Sequence, residues 1–169
     1  MKNRPRLKLE LTTTDKVIEV LGWTVIIGTW VMIFYNYSSL PETIPTHYNA
    51  AGEVDGYGNK SHIIALPVVS TILFIGLFVL NKFPHIFNYP TTITEDNAHQ
   101  LYTKTTRLIR FLNLAIAVVF GMIVFETIQT ALGNSKGLGA WFLPVTLGII
   151  LIPLIFYLIQ LSSNKKSTT

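Results

Sequence analysis

The chain has 169 residues, half of them hydrophobic and only 13% charged, with a formal net charge of +4 and no cysteine. A soluble domain usually carries about 25% charged residues, so this composition argues against an ordinary soluble fold. The lack of cysteine excludes disulfides, thiolate metal sites and cysteine nucleophiles.

The first segment, residues 1–16, is a basic tail with Lys2, Arg4, Arg6, Lys8 and Lys16. Its alternation of Arg4, Arg6 and Lys8 with Leu7, Leu9 and Leu11 suits contact with anionic headgroups, and equally a frayed polar tail. A membrane span needs roughly 20 mostly apolar residues to cross about 30 Å of hydrocarbon. The first predicted span runs from Val17 to Tyr37, with Glu19 at its edge. Its apolar core is longer than that of a secretory signal, and no Ala-x-Ala site follows, so a retained anchor is expected. A polar loop, 38–62, separates it from a second, uncharged span over Ile63–Leu80.

The connection over 82–107 starts irregularly, with Pro84 and Asn88-Tyr89-Pro90. Thr94 then reads as a helix N-cap, with Glu95 and Asp96 placed to complement the helix dipole. The helical pattern continues without a breaker into a third span, Leu108–Leu132. The fourth span, Trp141–Leu161, holds Pro144 in its first turn and an interior Pro153 that frees a carbonyl. Residues 17–132 therefore read as a three-helix module, and 133–169 as a fourth helix with a basic C-terminal tail. Together they make one all-α integral membrane domain in contact with the lipid bilayer.

Charge sets the expected orientation. Eleven basic residues lie in the N-terminal tail, in or beside the 82–107 connection, or after span four; only Lys60 and Lys136 lie in the other two segments. By the positive-inside rule both termini are cytoplasmic and the 38–62 loop is extracytoplasmic. The same placement marks the basic residues as topology signals, so no nucleic-acid partner is expected. Trp23, Trp30, Tyr35, Tyr37, Trp141 and Tyr157 fall at or near span ends, where interfacial anchors belong. Thr24-x-x-x-Gly28 and Ala117-x-x-x-Gly121 are small-residue pairs of the kind that lets helices approach closely.

The outer loop is too long and too rich in special residues for a plain tether. Pro45, His47, Asn49, Gly52, Asp55 and Lys60 are its candidate binding residues. Extended backbone is expected over Ile44–Asn49, with a turn around Ala50–Gly52. His47, Asp55 and His62 are weak candidates for a metal site: no His-Glu-x-x-His spacing exists, and an EF-hand register fails at its first and last ligands. The favoured reading has His47, Asn49 and Asp55 bonding to the loop's own backbone, with no cofactor. Within the spans, Glu126 with Gln129 one turn away is the polar candidate, better suited to pairing near the outer interface than to proton transport. No nucleophile elbow, phosphate loop or dinucleotide fingerprint is present, so a non-catalytic protein is expected.

The pattern Leu40-Pro41-x-x-Ile44-Pro45-x-His47, followed by Gly52, Asp55 and Lys60 at fixed offsets, resembles a bacterial membrane module of unknown function. That module is found at the N-terminus of SdpI-type immunity proteins. Phe87-Asn88-Tyr89-Pro90 and Thr94-Glu95-Asp96-Asn97-Ala98 resemble the cytoplasmic connection of the same family. The resemblance implies a small multi-pass protein of the bacterial inner membrane that acts in immunity or signalling. Its outer loop would recognise an extracytoplasmic peptide, a toxin or a membrane partner; apart from the resemblance, a homo-oligomer or a membrane-protein partner is a further candidate interaction. Two other readings stay open: a small transporter or transporter subunit using Glu126 and Gln129, and an outward metal-binding protein.

Overall fold

The computed structural model describes residues 4–165. Four helices, α1 (Thr13–Asn36), α2 (Ala65–Leu80), α3 (Glu95–Ala131) and α4 (Phe142–Lys165), carry the fold. All four are long and apolar enough to cross a membrane, α2 together with the 3-10 turn that leads into it. A two-stranded antiparallel sheet, β1 (Thr43–Tyr48) and β2 (Val54–Asn59), fills the connection between α1 and α2, an element that an all-α class leaves out.

Local chemistry explains the boundaries. Thr12 caps α1 in a reciprocal box with Asp15, so the helix begins at Thr13, inside the segment read as a tail. Thr94 caps α3 through the same box with Asn97. With 37 residues, α3 extends about 55 Å. That exceeds the roughly 30 Å hydrocarbon thickness of a bilayer. The fourth helix starts at Phe142, one residue after the expected Trp141, and continues past Leu161 to Lys165.

Contacts fix the packing directions. Asp15 and Glu19 of α1 meet Arg107 and Arg110 of α3, while Thr29 lies against Gly121, so the two helices run parallel. Asn81, which caps the end of α2, donates to the Thr106 carbonyl, while Asn113 of α3 donates to the carbonyl of Phe74 on α2, which makes α2 antiparallel to α3. The Tyr157 hydroxyl of α4 bonds to that of Thr105, again antiparallel. Between the helices, Gly22 and Gly121 allow close approach. A Cβ on Gly22 would stand 2.5 Å from the Phe74 ring, and one on Gly121 would stand 3.0 Å from Thr29 Oγ1. A Cβ on Gly28 would meet nothing within 4 Å, so of the two small-residue pairs only Ala117–Gly121 lies at a helix contact. Outward side chains such as Val31, Phe34, Ile72 and Ile152 are apolar and exposed, a surface that suits hydrocarbon.

Residues 4–11 lie against the connection between α2 and α3. Arg4 donates to the carbonyls of His85 and Phe87 and sits over the Tyr89 ring. Tyr102 donates to the Pro5 carbonyl, and Leu9 packs on the buried cluster of Phe87, Tyr89, Ala98, Leu101 and Tyr102. Lys2 and Lys166 of the charge pattern lie outside the described residues.

Candidate functional site

The hairpin stands where α1 ends and α2 begins, and apolar residues root it in the helices. Ile44 is 1% exposed and joins Ile33, Leu40, Ile63, Val124 and Ile128 in one core cluster. A β-branched isoleucine suits both the strand and the packed interior. Pro45 is buried beside it and pairs with Tyr57 across the sheet. Beyond Pro45 the register shifts twice, so His47 faces Gly56 and Tyr48 faces Val54. A bulge of this kind bends the strand and re-aims side chains. It leaves Tyr48 half-buried, with its hydroxyl 3.0 Å from Thr127 Oγ1 on α3. Burial raises the Tyr48 pKa above its ordinary value, while the Thr127 bond acts in the opposite direction.

Asn49 builds the turn. Its side-chain carbonyl accepts from the Ala51 and Glu53 N–H groups at 2.9 and 3.0 Å, and its amide donates to Glu53 Oε2. Gly52 follows in the left-handed region at φ +75°, which glycine adopts without strain. Asn49 and Gly52 thus shape the loop.

Two further pairs fasten the hairpin. His47 Nδ1 lies 2.5 Å from Asp55 Oδ1, with both side chains open to solvent, whereas the expected reading had them bonding to backbone. At the base, Lys60 Nζ lies 2.8 Å from Glu42 Oε1 and above the Tyr37 ring. Tyr57, on the same exposed face of β2 as Asp55 and Asn59, is 66% exposed. His62 stands apart from the His47–Asp55 pair, against Gly58. Among the described residues no three His, Asp or Glu side chains are grouped to share a metal ion.

The structure adds a partner that sequence reasoning missed, the α3–α4 connection. Gly139 N–H donates to the Gly52 carbonyl at 3.2 Å, and Glu53 forms a bridge with Gly137. Gly137 and Gly139 both have positive φ, and that cluster of glycines was the available signal. Glu126 and Gln129 serve the same connection. The Ser135 hydroxyl donates to Glu126 Oε2 at 2.9 Å and accepts from the Gly137 N–H, while Asn134 donates to Gln129 Oε1.

No solved structure matches this chain. An uncharacterized protein of Archaeoglobus fulgidus is 25% identical over 166 residues, covering 90% of each chain. Residues 24–71 match the family described as a domain of unknown function, DUF1648. The matched stretch is the hairpin with the adjoining parts of α1 and α2.

Proposed function

We propose that the chain is a non-catalytic multi-pass membrane protein whose hairpin recognises an extracytoplasmic peptide or peptide toxin, in immunity or signalling. The observation that carries this reading is the contrast within the hairpin. Ile44, Tyr48 and Gly52 tie it to the helices and to the α3–α4 connection, while His47, Asp55 and Tyr57 stay exposed. A pinned platform loses little entropy on binding. With only two strands in the sheet, each has one edge without a strand neighbour, and an extended peptide can add there while its side chains meet Tyr57 and the His47–Asp55 pair. The likeness of the loop to the SdpI-type module supports the same role. Transport has less support, because Glu126 and Gln129 are both engaged by the α3–α4 connection.

The basic residues support a bacterial inner membrane topology with cytoplasmic termini and an outward hairpin. Because the chain lacks cysteine, single substitutions test this directly. A membrane-impermeant maleimide should label Tyr57→Cys in intact cells and Lys82→Cys only after lysis; the opposite pattern would reverse the topology. For recognition, a displayed library of extended peptides is panned on the solubilised protein. Counter-selection uses the Asp55→Ala/Tyr57→Ala variant. Sequences that bind the wild type alone are expected, and enrichment that is equal on both proteins would end the proposal.

A further inference from the structure

At the opposite end of the helices from the hairpin, a cleft of about 310 Å³ opens between residues 7–11, the end of α2 and Arg110 of α3. Its size falls at the lower end of small-ligand sites. Lys8, Lys82 and Arg110 line it against a single carboxylate, Glu19, which Arg110 already engages at 2.7 Å. Lys8 and Lys82 have no ion-pair partner among the described residues; the Lys82 ammonium rests on the Phe78 ring, 4.9 Å from its centroid. The cleft therefore carries surplus positive charge beside an apolar wall of Leu7, Leu11 and Phe78.

A second observation points to a ligand. Asn81 lines this cleft and the narrow crevice next to it and is 6% exposed. Its amide nitrogen donates to the Thr106 carbonyl at 2.9 Å, which identifies the other atom as the carbonyl oxygen. That oxygen has no hydrogen-bond partner among the described residues, and neither has the Oδ1 of Asn113, which lines the crevice. A buried acceptor left without a donor is unfavourable, so the site favours a molecule that brings hydroxyl donors.

We infer that this cleft binds the headgroup of an anionic, hydroxyl-bearing phospholipid of the phosphatidylglycerol type. The phosphate meets Lys8 and Lys82, a glycerol hydroxyl donates to Asn81 Oδ1, and the acyl chains leave along Leu7, Leu11 and Phe78. The site lies where α1 begins and α2 ends, the depth at which spanning helices meet headgroups, and basic pockets between such helices hold acidic lipids. The shared chemistry, a glycerol-linked phosphate, also occurs in soluble molecules; the apolar wall commits the site to a lipid.

The test is binding of short-chain phosphatidylglycerol to the full chain in neutral detergent, read by native mass spectrometry. Phosphatidylcholine of the same chain length and glycerol phosphate are the comparisons. Phosphatidylglycerol should bind at least ten-fold more tightly than either. Lys8→Gln/Lys82→Gln should weaken it about thirty-fold, from roughly a factor of five for each lysine near a headgroup. Lys16→Gln/Lys104→Gln, which removes the same charge away from the cleft, should leave affinity within about two-fold. Equal losses in the two double variants would reduce the effect to general attraction and overturn the site. Equal affinity for phosphatidylcholine would overturn the headgroup assignment, and glycerol phosphate binding as tightly would overturn the lipid.

Discussion

Substituting Gly52 with alanine isolates the contact that holds the hairpin against the α3–α4 connection. A Cβ at this position would stand 2.4, 2.6 and 2.7 Å from the Gly139 O, N and C atoms. These are backbone atoms, so no rotamer change relieves the overlap and the two loops must separate. Gly133 is the internal control: its φ of +80° nearly equals the +75° of Gly52, yet nothing lies within 4 Å of its Cβ position. Both substitutions force alanine into the left-handed region, at about 1–2 kcal/mol. Both also reduce the freedom of the unfolded chain, which returns about 0.4–1 kcal/mol in each case. These effects cancel in the comparison. What remains for Gly52→Ala is the loss of the Gly139 N–H bond, about 1 kcal/mol, together with packing between the loops. The expected difference is thus about 1–3 kcal/mol beyond Gly133→Ala. Unfolding of the detergent-solubilised protein gives the stabilities, and hydrogen exchange over residues 49–59 reports loosening of the hairpin. Equal losses in the two variants, with unchanged exchange at the hairpin, would show that the Gly52–Gly139 contact holds nothing in place.

The root of the hairpin is Ile44, 1% exposed. Ile44→Ala should cost about 2–5 kcal/mol in denaturant titration, and a loss below 1 kcal/mol would contradict its core position. Arg107→Ala should destabilise the chain more than Asp15→Asn. It leaves the Asp15 carboxylate, whose side chain is 4% exposed, without its 3.0 Å partner; the reverse order of midpoints would refute this. Alkaline pH should destabilise the fold. The half-buried Tyr48 phenol ionises above its ordinary 10.0, so above about pH 10 the unfolded chain releases a proton that the folded chain retains, and stability falls with rising pH. Tyr48→Phe should flatten this decline between pH 9 and 11, and an unchanged slope would exclude a part for Tyr48.

Apolar length and turn chemistry made the helices legible without coordinates. Spans of uninterrupted hydrophobic residues have few alternatives once water is excluded, because backbone groups must be satisfied within the segment. Thr94 was readable as a cap because a hydroxyl before acidic residues serves the free N–H groups of a helix start. The extended backbone after Ile44 was readable from Pro45, whose ring restricts both itself and its predecessor. The helix α1 begins at Thr13, ahead of the expected span start at Val17, because its cap, Thr12 with Asp15, sits among charges that read as a tail.

Tertiary structure alone decided which of these residues meet. Nothing local ties Gly52 to Gly139, or Arg4 to the carbonyls of His85 and Phe87, because such contacts depend on how α3 and α4 return past the earlier chain. The same holds for the cleft at Lys8 and Lys82, and for Gly22, which allows close packing against Phe74 although no small-residue pattern marks it. Glu126 stood out in sequence as an intramembrane charge, yet its Ser135 partner comes from the connection beyond the helix. Sequence determines how each segment satisfies its own backbone and which faces are apolar. The pairing of faces is a property of the packed helices, because it is set by long-range contacts that no single segment contains.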